Sequence, residues 1–82
     1  MNLWETVAAS EIIRAAQSNA RVARMNEDGT VTYGTARRIG GDHSRDVQHC
    51  TLEVTTDQGW EVAWNISELL PQVDADEFVV NP

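Results

Sequence analysis

The sequence has no lysine: all six basic side chains among its 82 residues are arginine. The second part has no base at all. Every arginine (Arg14, Arg21, Arg24, Arg37, Arg38, Arg45) falls within residues 1–45, while residues 46–82 hold Asp46, Glu53, Asp57, Glu61, Glu68, Asp74, Asp76 and Glu77 uncompensated. Affinity for nucleic acid comes mainly from Lys and Arg displacing counterions, so the second part offers no phosphate-binding surface of its own. There is one cysteine, Cys50, which cannot close an internal disulfide and argues against a stapled secreted mini-protein. No stretch approaches the ~20 apolar residues of a membrane span. Met1–Glu5 has neither the basic flank nor the apolar run of a leader, so a soluble, cytoplasmic chain is expected. Aromatics are scarce at 6%, which leaves Trp4, Tyr33, Trp60, Trp64 and Phe78 as the large anchors.

What is present suffices for a fold. Hydrophobic residues make up 41%, too many for a disordered acidic tail, although the net charge is −7. The length fits one domain, and a domain this small buries only about 60% of its unfolded surface. From Asn2, with Glu5 in capping-box position, to about Asn19 there is no Gly or Pro, and alanine is frequent; this predicts a helix. At helical spacing Trp4, Ala8, Ile12, Ala15 and Ala16 share a stripe. Leu3, Val7 and Ile13 fall outside it, and either widen the buried face or contact a partner or a second copy of the chain.

Two hairpins follow. Glu27-Asp28-Gly29 and Asp57-Gln58-Gly59 are three-residue loops with Gly where the left-handed residue belongs. That register sets Val54 opposite Val62, Leu52 opposite Trp64 and Thr56 opposite Trp60, which predicts both tryptophans in the core. In the first hairpin it sets Met25 opposite Val31 and Ala23 opposite Tyr33, with Ile39 on the same face. Asn65–Pro71 reads as one helical turn stopped by proline, and Phe78–Val80 as a short edge strand after an acidic linker. The expected architecture is therefore α+β: a helix (1–19), a small antiparallel barrel or sheet of four to five strands (20–72), and an acidic linker with an edge strand (73–82).

This order resembles an SH3-like small barrel of the Tudor type. The residues that carry the resemblance are Val22–Gly29 with Tyr33 and Ala36, then Cys50–Val54, Asp57, Gly59 and Glu68–Pro71. It implies the barrel-like fold. Tudor domains hold methylated arginine or lysine in an aromatic cage, which needs several ring faces around the cation. Here Tyr33 stands alone and Val54–Gln58 has no aromatic, so the cage is not carried over.

Catalytic chemistry finds little support. His43, Asp46, His49 and Cys50 are the densest reactive group, but they lack an established zinc spacing, and on a strand His49 and Cys50 would point to opposite faces. A cysteine beside Leu52 has its thiolate disfavoured, and no carboxylate pair is set up for acid–base work. The expectation is a non-enzymatic protein without metal or cofactor. Its acidic side chains (Asp46, Glu53, Asp57, Glu61, Glu68, Asp74, Asp76, Glu77) would dock a basic, nucleic-acid-binding partner, as small phage-encoded inhibitors of similar size and sign do by mimicking phosphate. The alternative is direct nucleic-acid binding through Arg21, Arg24, Tyr33, Arg37 and Arg38 on the first hairpin.

Overall fold

The computed structural model describes Trp4 and residues 6–82. Its elements are α1 (Val7–Ser18), β1 (Arg21–Met25), β2 (Val31–Gly40), a 3₁₀ turn (Val47–His49), β3 (Thr51–Thr56), β4 (Glu61–Asn65), α2 (Ile66–Asp74) and β5 (Phe78–Val80). The strands form one antiparallel sheet in the order β4-β3-β2-β1-β5. It is open, with β4 and β5 at its edges, and both helices contribute to the core on one side of it.

The helix begins later than its composition suggests. Thr6 is the cap, its Oγ1 accepting from the Ala9 N–H at 3.2 Å, because an extended Thr satisfies a donor that the first turn leaves free. The Asn2–Glu5 cap lies outside the described residues. Trp4 precedes the helix and donates its Nε1–H to the Arg45 carbonyl at 2.8 Å. Ala8, Ala9, Ile12, Ala15 and Ala16 are buried, as the stripe requires. Asn19 ends the helix in the left-handed conformation (φ 50°, ψ 47°), and its side-chain amide reaches the carbonyls of Ala16, Ala36 and Arg37.

Both hairpin registers are as the glycines dictate. Gly29 (φ 85°) and Gly59 (φ 88°) take the left-handed position, and Met25–Val31, Ala23–Tyr33, Val54–Val62 and Leu52–Trp64 stand opposite each other. The face of the first hairpin differs from expectation. Val22, Gly34 and Ala36 are its buried residues on the helix side, whereas Met25, Val31 and Tyr33 point away from the helices and are exposed, with the buried Ala23 among them. A β-bulge between Ala36 and Arg38 reverses the alternation, so that Ile39 meets Leu52 on the core side although it shares the odd parity of Val31 and Tyr33. Trp64 packs edge-on against Phe78 at 6.4 Å, but Trp60, at the end of the sheet, is 68% exposed and not a core residue.

Pro71 does not stop the second helix. It has no N–H to give to the Ser67 carbonyl, yet α2 continues to Asp74, carried by burial of Ile66 and Leu69. Then β5 pairs with β1, and Phe78 enters the core at 2% exposure.

Candidate interaction surface

The eight acids of residues 46–82 do not form one uniform face. Three meet arginines brought from the first part of the chain. Asp57 is held by both terminal nitrogens of Arg21, one of them at 2.7 Å from Oδ2. Arg38 donates to Glu53 at 3.1 Å, and Arg24 lies 3.8 Å from Glu68. The hydrogen bonds from Arg21, reinforced by its charge, hold the Asp57 carboxyl below the ordinary carboxylate range, and Arg21 is raised in return. Asp46 caps the 3₁₀ turn, accepting from the Val47 N–H at 2.8 Å.

Glu61 stands on β4 beside Arg37 and Arg38, while Asp74, Asp76 and Glu77 lie at the other end, by α2. A cleft of about 680 Å³ opens between the β1–β2 turn and α2, with the carboxylates of Glu27, Glu68 and Glu77 on its walls. Among the described residues its single cation is Arg24, which pairs with Glu68 at 3.8 Å, donates Nε–H to Gln72 Oε1 at 2.8 Å and lies 5.3 Å from the centre of the Trp64 ring. Only 17% of this side chain is exposed, so it fastens α2 to the sheet and offsets one of the three carboxylates, leaving the cleft net acidic. Gln72 completes the joint by donating to the Met25 carbonyl at 3.2 Å. Asp74 and Asp76 follow on the same segment, and Asp28 sits in the facing turn. Among the described residues no ion pair reaches Glu27, Asp74, Asp76 or Glu77. Glu27 was invisible as a partner of Glu68 and Glu77, because nothing local in the sequence says that α2 crosses beside the first turn.

The first-hairpin arginines are dispersed. Arg21, Arg24 and Arg38 are in the three ion pairs, Arg37 donates to Thr55 Oγ1 at 3.0 Å, and Tyr33 lies on the open sheet face. Of the nominated metal ligands, His43 bonds the Ile39 carbonyl through Nε2 at 2.8 Å and His49 is exposed on the 3₁₀ turn. Cys50 ends that turn rather than starting a strand; it is buried, and burial pushes its thiol up. Among the described residues no three His, Cys, Asp or Glu side chains are grouped to hold a metal ion. Of the contacts nominated for a second copy, Leu3 lies outside the described residues, Ile13 packs against the core, and Val7 is 78% exposed.

No described helix is long and apolar enough to cross a membrane. Comparison with protein-family models, curated proteins and solved structures gives no match.

Proposed function

We propose that the protein is a non-enzymatic interaction module whose acidic cleft docks a basic protein surface of the kind that also binds nucleic acid. The observation that carries this reading is the cleft itself: Glu27, Glu68 and Glu77, from separate elements, line it, and its lone arginine among the described residues, Arg24, offsets only Glu68 while it is held by Gln72 and Trp64. A concave wall lined by one sign of charge concentrates field, raising the encounter rate with an oppositely charged partner and disfavouring wrong ones. Occupying such a partner's phosphate site would make the protein a competitive inhibitor. The acids of the second hairpin contribute less, since Glu53 and Asp57 are neutralised locally.

The test uses an arginine-rich peptide, with an acidic peptide of equal length as control, in an NMR titration at low and high salt. Shifts should concentrate on residues 25–29, Glu68, Gln72 and Glu77, and fade as salt rises. Replacing Glu27 and Glu77 by arginine should weaken the peptide about tenfold, a difference near 1.4 kcal/mol. The same exchange at Glu53 and Glu61 should change little. Equal losses from both pairs would refute the assignment of the cleft.

A further inference from the structure

Beyond Thr35, β2 has no strand beside it on the β1 side, because β1 pairs with it only as far as Arg21 and Thr35. Side chains close the gap instead. Asn19 Nδ2 donates to the carbonyls of Ala36 and Arg37 at 3.0 and 3.1 Å, and His43 Nε2 donates to that of Ile39 at 2.8 Å. With those acceptors occupied, this is not an edge that a further strand extends. What remains is a cavity of about 440 Å³ between α1, the end of β2 and the loop that follows. Ligand pockets measure about 300–1,000 Å³ and combine an apolar lining with a few polar groups. Ile13, Ala16 and Ile39 supply the apolar part here. The Trp4 indole stands against the His43 imidazole, ring centres 5.9 Å apart and planes at 58°. Hydrogen bonds to the carbonyls of Arg45 and Ile39 hold the two rings, so an aromatic wall is in place before any ligand arrives.

Charge sets this cavity apart. Three other clefts each carry carboxylates: Glu27, Glu68 and Glu77 in the first, Glu53 and Glu61 in the second, Asp57 in the third. This one carries none among the described residues, although the chain's net charge is −7. The bulge of β2 instead puts two consecutive arginines, Arg37 and Arg38, on its rim. Glu53 offsets Arg38. Arg37 is steadied through Nε by Thr55, and among the described residues no carboxylate lies within ion-pair distance of it. The planar fork of a guanidinium matches a carboxylate. An apolar recess with an aromatic wall and an unpaired guanidinium at its mouth is complementary to a flat apolar body bearing one negative charge.

We propose that this cavity binds a small aromatic carboxylate, its ring against Trp4, Ile13 and Ile39 and its carboxylate on Arg37. The site is separate from the acidic cleft and selects the opposite charge. The cavity is open on the Arg37 side, so the ligand is held weakly and exchanges fast. A body of about 13 non-hydrogen atoms, at the free energy per atom ordinary for small ligands, gives a Kd of about 1 mM.

The probe is 2-naphthoate, with 2-naphthylmethanol and 2-naphthylmethylammonium as neutral and cationic controls carrying the same ring. Methyl NMR on isoleucine-labelled protein gives a local readout. Ring currents should move the Ile13 and Ile39 signals and the Trp4 indole N–H, while the fully buried Ile12 and Ile66 stay in place. The alcohol should bind about threefold more weakly than the carboxylate, and the ammonium more weakly still. Arg37→Gln should bring naphthoate down to the affinity of the alcohol with Tm unchanged; Arg38→Gln, which removes an arginine already paired, should do less. The comparison of the three probes is made on the wild type and stands whether or not a variant folds. Glu27→Arg with Glu77→Arg should leave naphthoate binding as it was, so this proposal and that of the cleft fail separately. No saturable shift up to about 10 mM, shifts at Ile12 and Ile66 equal to those at Ile13 and Ile39, equal affinity for carboxylate and alcohol, or wild-type affinity in Arg37→Gln would each overturn it.

Discussion

Replacing Gly34 by alanine probes the centre of the sheet. Gly34 lies on β2 between Val22 of β1 and Thr56 of β3, on the side that faces the helices. An added Cβ would stand 2.7 Å from the Thr55 carbonyl oxygen, 2.7 Å from Val54 Cγ1 and 3.1 Å from Thr56 Cα. Two of these obstacles are backbone of the neighbouring strand, and Val54 is itself buried at 1% exposure, so none can swing aside. Relief requires β2 and β3 to separate. Forcing one extra carbon into a filled interior costs about 1–3 kcal/mol. Removing glycine's freedom from the unfolded chain returns roughly 0.4–1 kcal/mol. The net loss of about 1–2 kcal/mol should lower Tm by roughly 5–15 °C in a domain of this size. Thermal melts followed by circular dichroism read this directly. Gly40→Ala serves as the comparison: its Cβ would come closer still, but to the side-chain ends Glu53 Oε2 and Thr51 Oγ1. Those can rotate, at the expense of the Arg38–Glu53 pair, so this variant should melt above Gly34→Ala. If Gly34→Ala melts within about 2 °C of wild type, the close approach of β2 and β3 is wrong.

Trp60→Ala should cost under about 0.5 kcal/mol, as for an exposed surface site, while Trp64→Ala should cost about 2–3 kcal/mol through lost contact with Phe78 and Arg24; equal losses in urea unfolding would refute the placement of Trp60. Asn19→Gly keeps the left-handed cap but loses the amide contacts, and Asn19→Ala adds strain of ~1–2 kcal/mol, so the alanine variant should be the less stable of the two. For Asp57 the folded carboxyl is depressed, so its contribution is present above its unfolded value near ~3.9 and is lost as pH falls through the lower folded value. Tm should therefore hold from pH 7 to 5 and drop at more acid pH, with a shallower drop in Asp57→Asn; superimposable acid limbs for the two proteins would show that the Arg21 pairing is immaterial.

Local chemistry was legible in this sequence; distant pairing was not. Gly29 and Gly59 fixed two turns and hence two strand registers, because a left-handed residue at the third loop position has few alternatives. The alanines at 8, 15 and 16 announced the buried stripe of α1. The large residues Met25, Val31 and Tyr33 argue for one side of the first hairpin, yet the core side is that of Val22, Gly34 and Ala36. A small residue is what the core side requires where α1 and β3 approach closely. The bulge after Ala36 has no sequence signature apart from two consecutive arginines, and it was what moved Ile39 across. Ion pairs such as Arg21–Asp57 join residues far apart along the chain, so the imbalance between the two parts overstated the acidity of the second hairpin. For the same reason the cleft could not be foreseen: Glu27 belongs to the balanced part of the chain and faces Glu68 and Glu77 only after folding.

The pairing of β5 with β1 also shapes how the molecule opens. β1 is joined to β2 through a tight turn, but to β5 only after nearly all the described chain has been placed. Such a remote three-residue strand carries a large loop-closure cost and few hydrogen bonds of its own, so it belongs to the least protected part of the native state. Its transient release would uncover Phe78 and one side of β1 while leaving the β2–β3–β4 ladder intact. Amide exchange should then divide the sheet: β3 and β2 exchange only through global unfolding, whereas β5 and the β1 amides bonded to it exchange sooner. The molecule would thus have a durable meander and a detachable margin, and the exposed Val79 lies in that margin.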